Sequence, residues 1–379
     1  MKIAIDARGV NLYNGTGIGT YTENILKNLI NIDTVNDYHV FWSGKNFESI
    51  KKENCKVIMT SKKHQRFFED YYFPENILKE RIDIYHMPQN GIGFSQTISC
   101  KKVVTIHDLI PYVMPETVGR GYLLKFLKEM PIIIGNSDGI ITVSEFSKRD
   151  ILKYFPINES KIFVTPLAAD SKYTPLDKLH CKNFLEKAYN LKNPFILYLG
   201  GFSERKNVAS AITAYSKVYK DLNKNYNLVI VGDYKDPSQK LVNLVNELNM
   251  QSHVIFAGFV PEDHLPLFYN SCDALIYPSF YEGFGLPPLE AMNCGTPVIA
   301  SNLTSIPEVV GDAGILINPY DTEGIALAIG NLLNNEKLKS ELSAKGLLRA
   351  KQFSWQNTAL STLKDRKSTR LNSSHKTHL

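Results

Sequence analysis

The sequence predicts an α/β protein built as two doubly wound domains in tandem, and three observations carry that expectation. The chain has 379 residues, beyond the roughly 250–300 at which a single hydrophobic core stops growing. Short apolar runs alternate with longer segments of helical period, as strands and helices do when they take turns along a chain. The alternation lapses once, around 166–193, and then restarts. At 44% hydrophobic, 21% charged and 11% aromatic residues, the composition excludes global disorder, collagen-like repeats and coiled coils.

Taken in order, the first series of strand signals is KIAIDA (2–7), YHVFW (38–42), KVIM (56–59), IDIYHM (82–87), KVVTIH (102–107), GIITVS (139–144) and IFVT (162–165). Several are apolar at nearly every position, which suits strands buried on both faces of a parallel sheet. Prolines, charges and one helix-like stretch, CKNFLEKAYNL, fill the lapse. The second series runs PFILYLG (194–200), NLVIVGD (227–233), HVIFAG (253–258), DALIYPS (273–279), TPVIAS (296–301) and AGILIN (313–318). Helical pattern follows, ending in FSWQNTALSTL (353–363). The expected domains are therefore 1–168 and 169–352, then a terminal helix over 353–365 and a tail over 366–379. Open α/β sheets bind ligands at the carboxyl ends of their strands, so the two sheets are expected to face one shared cleft.

The formal net charge is +5, but the last fourteen residues hold Arg366, Lys367, Arg370 and Lys376 and no acid, which leaves +1 for the body. A near-neutral body has no electrostatic footprint for nucleic acid. The tail RKSTRLNSSHKTHL has two leucines to bury and no period; it resembles translated vector or adapter sequence and is set outside the fold. Five scattered cysteines without a C-x-x-C pair read as reduced filler rather than a disulfide framework or zinc site. Only three apolar residues stand between Lys2 and Asp6, too few for a signal-peptide core, and no run reaches the ~18 apolar residues of a membrane span. A cytoplasmic location is expected.

Three motifs carry chemistry. The glycine loop GTGIGTYT, with Gly15, Gly17 and Gly19, precedes an amphipathic segment. Its free N–H groups and the positive helix end suit an oxyanion or sugar, and a plain flexible turn explains it too. A dinucleotide fingerprint fails, because glycine would be needed where Thr20 stands and no acid closes the second strand. Next, GFSERKN (201–207) places Arg205 and Lys206 just past a strand and before a helix, a pocket for a diphosphate; two adjacent basic residues are otherwise an ordinary solvated surface. Last, PSFYEGFGLPPLEAMNCGTPVIAS (278–301) holds Glu282 on a glycine loop and Glu290 in what reads as a first helical turn. Pro287 and Pro288 suit the helix start, and Gly295 lies just past its end. Complementing the helix dipole accounts for Glu290 but not for Glu282. Two acceptor-only carboxylates suggest two polyol contacts.

The pattern E-G-F-G-L-x-x-L-E-A-M-x-x-G-x-P-V-I-A, with the upstream G-G-x-x-x-R-K-N, the T-I-H-D-L of the first domain and IPEVVGDAGILINP (306–319), resembles the retaining glycosyltransferases of family 4 with the GT-B fold. The resemblance spans the chain from the Gly15 loop to the Trp355 segment and implies two Rossmann-like domains across an interdomain cleft. It further implies that Arg205 and Lys206 hold a donor diphosphate from the Gly201 loop, that Glu290 accepts from ribose hydroxyls, and that Glu282 faces the donor sugar. Gly283, Phe284, Gly285 and Leu286 would offer backbone N–H groups, Gly258 and Val260 would flank the base, and His107, followed by Asp108, would face the sugar. The last helix would cross back to the first domain. Retention through same-face attack, with a diphosphate oxygen helping to take the acceptor's proton, is likewise implied.

No Asp-x-Asp metal motif occurs, so no metal and no cofactor beyond the nucleotide-sugar co-substrate are expected; the basic pair would neutralise the leaving group. The opening MKIAIDARGV with GTGIGTYT is similar to bacterial mannosyltransferases of polysaccharide assembly, which favours GDP-mannose over a UDP-sugar and a glycan or lipid-linked acceptor. KKHQRFFEDYYF (62–73) and GRGYLLKFLKE (119–129) are either solvated helix faces or a peripheral contact with the inner face of a membrane. A nucleotide-sugar epimerase of the same architecture is the alternative function. A nicotinamide oxidoreductase is disfavoured by the broken fingerprint, and a silent sugar-binding protein by the intact charged set.

Overall fold

The computed structural model describes the chain except residues 62, 92, 233–237 and 372–379. Lys62 of the first basic-aromatic stretch, Asp233 at an expected strand end and most of the expected tail thus lie outside the described residues. The chain divides into two compact units, Met1–Leu167 with Ser354–Leu379, and Ala168–Phe353.

The first unit is built on seven parallel strands: β1 (Lys2–Asp6), β2 (Asp37–Ser43), β3 (Cys55–Thr60), β4 (Ile84–Met87), β5 (Lys101–Ile106), β6 (Gly139–Thr142) and β7 (Ile162–Val164). They lie in the order β3-β2-β1-β4-β5-β6-β7. The second unit carries β8 (Phe195–Leu199), β9 (Asn227–Val231), β10 (Val254–Gly258), β11 (Ala274–Tyr277), β12 (Val298–Ser301) and β13 (Ile315–Ile317), ordered β10-β9-β8-β11-β12-β13. All are parallel, with registers such as Ile3↔Ile84 and Leu275↔Leu197. The strand order reverses between β1 and β4 in one sheet and between β8 and β11 in the other. Each such reversal opens a crevice at the carboxyl ends of the two strands, because the following helices leave to opposite faces.

The runs are apolar at successive positions because both faces are covered. Ile3, Ala4 and Ile5 of β1 and Leu228, Val229 and Ile230 of β9 are all fully buried, each larger side chain contributing about 1.5–3 kcal/mol. Helix starts are set by side-chain caps: the Thr16 hydroxyl accepts from Gly19 N–H, Ser144 from Ser147, and Asp177 from His180. A buried ion pair, Arg8 to Asp6 at 2.7 Å with Glu69 at 2.9 Å, ties the end of β1 to the 65–79 helical segment.

Three expectations need adjustment. The two basic-aromatic stretches are helical but not uniform: Phe73 and Phe126 are core, whereas Phe67, Tyr71, Tyr122, Leu124 and Leu127 are exposed. The strand expected from residue 82 starts at Ile84, Ile82 closing the turn before it. The terminal helix starts at Trp355 and runs to Leu371, so 366–371 continue it rather than beginning a separate tail. It docks on the first unit through Thr358 Oγ1 donating to the Pro166 carbonyl at 2.7 Å and Thr165 to Asp365 at 3.0 Å. Arg366 is carried inward against His86.

Candidate functional site

The crevice of the second unit is framed by the loops leaving β8 and β11. After β8 a single tight turn, Glu204–Lys206, leads into the helix Val208–Val218 through Asn207, which takes a left-handed φ of 55°. Asn207 is buried, and its amide donates to the Pro278 carbonyl at 3.1 Å and the Pro319 carbonyl at 2.8 Å. That clamp ties the basic turn to the end of β11.

Across it, Glu282 receives both cations. Lys206 Nζ donates to Glu282 Oε1 at 2.7 Å and to Tyr277 Oη at 2.9 Å; Arg205 Nη1 donates to Glu282 Oε2 at 3.2 Å and to the Tyr281 carbonyl at 3.1 Å. The Tyr277 hydroxyl donates in turn to Glu282 Oε1 at 2.9 Å. The three ionic side chains are 19%, 14% and 10% exposed for Arg205, Lys206 and Glu282. Burial pushes the Glu282 carboxyl up, but Lys206 and Arg205 together outweigh it and hold it at about 2. Oε1 is filled by two donors, which leaves at most one acceptor position, on Oε2. Glu282 is therefore the counter-ion that orients the basic pair, with at most Oε2 left to accept from a further donor.

The glycine loop is shaped by Ser305, whose hydroxyl is within 2.8 Å of both the Glu282 and the Phe284 carbonyls. In a trans peptide the N–H points opposite to the C=O. The N–H groups of Gly283 and Gly285 consequently point away from Ser305, and the helix Leu286–Asn293 starts immediately after. Gly285 sits at φ 117°, and a Cβ there would come within 2.8 Å of Ile306 Cδ1. Gly285→Ala should cost at least about 1–2 kcal/mol. A melting temperature equal to that of the parent would show the loop to be more pliable than this.

Glu290 is in the second turn of its helix, not the first, because the helix begins at Leu286. The dipole explanation accordingly loses its basis. Its carboxylate accepts from Tyr269 Oη at 2.8 Å, and Tyr269 packs edge-on against Tyr173 with ring centroids 5.6 Å apart. Desolvation dominates, and with Glu262 and Asp170 nearby it pushes the Glu290 carboxyl up to about 7 against the Tyr269 bond and Lys172. Elsewhere at this end of the sheet, Gly201 is open, with no described atom beyond its own chain neighbours within 4 Å of where a Cβ would stand. Gly258 closes β10 at φ 72°, and Val260 turns inward while Phe259 is exposed.

The remaining expected residues belong to the first unit. Gly15 is exposed at φ 75° and Gly17 opens the helix Gly17–Ile32, a short helix, Gly9–Leu12, intervening after β1. Gly19 has a packing role instead: a Cβ would lie 2.1 Å from the Tyr13 carbonyl, and its N–H is taken by Thr16. His107 is buried at the end of β5, edge-on to Tyr21, its N–H on Asn90 Oδ1 at 2.8 Å. Its Nε2 lies 2.8 Å from the Pro88 carbonyl, which only accepts, so Nε2 carries the proton. Desolvation lowers its pKa to about 4, and the ring is neutral and anchored near pH 7. Asp108 is half-buried and accepts from Ile110 N–H at 3.1 Å.

The structure thus gathers Arg205, Lys206 and Glu282 into one cluster beside Gly283–Leu286. Sequence reasoning missed Tyr277, Asn207, Ser305 and Tyr269. A polar residue at the last position of an otherwise apolar strand, as in ALIY, was the available signal for Tyr277. Among the described residues, no group of three or more His, Cys, Asp or Glu side chains could hold a metal, and no helix is long and apolar enough to cross a membrane.

A family model described as Glycosyl transferases group 1 matches residues 182–349, and one described as Glycosyltransferase Family 4 matches residues 16–173. The O-antigen chain mannosyltransferase B of Escherichia coli is 31% identical over 367 residues, covering 93% of this chain and 96% of that protein. An uncharacterised glycosyltransferase of Methanocaldococcus jannaschii is 27% identical, with coverages of 92% and 93%. Among solved structures, sucrose-phosphate synthase from Thermosynechococcus elongatus superposes with a TM-score of 0.77 at 20% identity over 99% of this chain and all of that one. Anabaena HepE, solved with UDP and glucose, gives 0.77 at 16% identity over 97% of this chain and 100% of the other. The architecture is GT-B, and the chain belongs to the group 1 and family 4 glycosyltransferases.

Proposed function

We propose that this glycosyltransferase moves mannose from GDP-mannose to a growing surface polysaccharide or a lipid-linked glycan, with retention and without a metal. The observation that carries the donor chemistry is the Arg205–Lys206–Glu282–Tyr277 cluster at the β8/β11 crevice. Its ionic groups sum to one positive charge, held in place before any ligand arrives, beside the N–H groups of Gly283 and Gly285 and the positive end of a helix. A diphosphate fits that field. As the bond from the anomeric carbon to the diphosphate oxygen breaks, a new bond forms to an acceptor hydroxyl on the same face. The hydroxyl proton leaves with the nucleoside diphosphate, and the cluster stabilises the charge building there. Glu290 would accept from the ribose hydroxyls, and Gly258 and Val260 would flank the base. The anchored, neutral His107 would contribute shape and its Nδ1 lone pair rather than act as a base; Asp108, Gly15 and Gly17 would border the sugar. No cofactor besides the donor is called for.

Mannose as the sugar is supported by the E. coli relative and by the O-antigen chain mannosyltransferase RfbU of Salmonella typhimurium, 31% identical over 231 residues. A UDP-sugar is the second reading, favoured by the HepE structures solved in complex with UDP and glucose and with UDP-glucose. A cytoplasmic enzyme resting on the inner face of a membrane is supported by exposed Phe67, Tyr71, Leu124 and Leu127 among Arg66, Arg120 and Lys128.

A thermal-shift panel of GDP-mannose, UDP-glucose and UDP-N-acetylglucosamine separates the donors. The true donor at a hundred times its Kd stabilises by about 2.7 kcal/mol. GDP-mannose should raise the melting temperature most, with or without EDTA. A larger shift with a UDP-sugar would reject the mannosyl reading, and loss of turnover in EDTA the metal-free one.

A further inference from the structure

The loop leaving β12 runs over residues 302–305 and ends where the helix Ile306–Val310 begins. Within it Thr304 takes a φ of 59°. Among the described residues, eight that are not glycine have a positive φ; five of them are asparagines, and Thr304 is the one with a branched Cβ. The difference is physical. Asparagine tolerates the left-handed region, whereas a second heavy atom on Cβ crowds the backbone there, and a branched residue keeps that conformation only where its surroundings impose it. A turn that asked for this φ and nothing more would be met without strain by glycine or asparagine, as it is at Asn207 in the same unit, with a φ of 55°.

What threonine adds is a hydroxyl. β12 lies beside β11 in the sheet, and its loop reaches across to the loop that carries Glu282. The Thr304 hydroxyl accepts the Glu282 N–H at 3.2 Å, and the hydroxyl of Ser305, the next residue, lies 2.8 Å from the Glu282 carbonyl. Two adjacent hydroxyls therefore hold both polar groups of the Glu282 main chain, while its carboxylate meets Lys206, Arg205 and Tyr277. We infer that Thr304 is a positioning residue for the diphosphate clamp: its hydroxyl fixes the Glu282 main chain, Glu282 fixes the two cations, and the strained backbone at 304 aims the hydroxyl. Without that acceptor the Glu282 N–H loses its partner and the peptide can turn, carrying the carboxylate away from bonds to Lys206 and Arg205 whose strength depends steeply on distance and angle. The assignment rests on the donor reading above and names a residue that sets the geometry of that site from outside it.

The test uses the full-length protein, titrated calorimetrically with GDP and in parallel with UDP, the leaving groups of the two candidate donors, and melted on the same samples. Thr304→Val keeps the branched Cβ and removes the acceptor; it should weaken binding of the nucleoside diphosphate about three- to tenfold. Thr304→Ser keeps the hydroxyl and should bind within about twofold of the parent. Thr304→Gly removes hydroxyl and strain together, so it should bind as weakly as Thr304→Val while melting above it by a few degrees. Affinity then follows the hydroxyl and stability follows the backbone, a divergence that a merely structural residue does not produce. Parent-like binding in Thr304→Val overturns the inference, and so does an affinity that follows the melting temperature across the three variants. Lys206→Ala tells this failure from failure of the donor reading. Parent-like binding there removes the diphosphate clamp and the role of Thr304 with it, whereas weakened binding there beside parent-like binding in Thr304→Val overturns the assignment of Thr304 alone.

Discussion

Replacing Lys206 with alanine should lower kcat/KM by about 10²–10³-fold, the loss expected when one preorganised donor to a developing oxyanion is removed. The effect has two sources that must be told apart. In the proposed reaction Lys206 would serve the diphosphate, and it is also a partner of Glu282, whose carboxylate is buried between Lys206, Arg205 and Tyr277. Removing one partner of a buried pair leaves an uncompensated charge and costs about 3–5 kcal/mol, so a single substitution confounds chemistry with folding. Adding Glu282→Gln resolves this. It removes the orphaned charge, and the double variant should recover most of the lost melting temperature while staying inactive. A double variant that regained turnover together with stability would reduce Lys206 to a structural counter-ion. Acid titration gives an independent view. The Glu282 carboxyl is held at about 2, so its stabilisation is present above its unfolded value near 4.5 and is lost only as pH falls through about 2. Glu282→Gln should flatten the acid limb of the stability curve.

The strands and their division into two sheets were legible because a strand covered on both faces is written as a nearly unbroken apolar run, as in FILYL and the LVIV of β9. The glycine loop and the helix after it were legible because the glycines and prolines there serve backbone geometry, which sequence displays directly. Tyr277 was not. Its position closes a core strand, and whether the hydroxyl is merely tolerated or used depends on Lys206 reaching it from seventy-one residues away. A similar separation hid the counter-ion part played by Glu282, because only the fold shows two cations converging on it. Gly19 misled in the opposite direction, its lack of a side chain being demanded by the Tyr13 carbonyl of its own turn rather than by a ligand. The start of the tail was misplaced because a helix needs no apolar stripe to continue for a further turn and a half once its first turns have docked.

The donor KM should depend on pH, falling as pH rises through about 7, and Glu290 should be the reason. The groups facing it are Tyr269, Tyr173 and Lys172 with the acids Glu262 and Asp170 and the thiol of Cys294. Desolvation and the neighbouring acids favour its neutral form, the Tyr269 bond and Lys172 its ionised form, and the balance stands at about 7. Vicinal hydroxyls of a ribose donate, so they bind the acceptor-only carboxylate better than the acid, which spends one oxygen as a donor. Donor binding then draws the group toward ionisation and releases a proton. If the acid form binds negligibly, KM climbs toward tenfold per unit as pH drops below the transition. Protein stability runs the other way: the raised pKa contributes fully below the unfolded value near 4.5 and is lost as pH rises through about 7. The anchored His107, at about 4, titrates below this window. In Glu290→Gln the donor KM should be raised about tenfold at pH 8 and be flat between pH 6 and 8, while kcat keeps the pH profile of the parent. A sloping KM that survived in Glu290→Gln would assign the titration to another group and release Glu290 from the ribose.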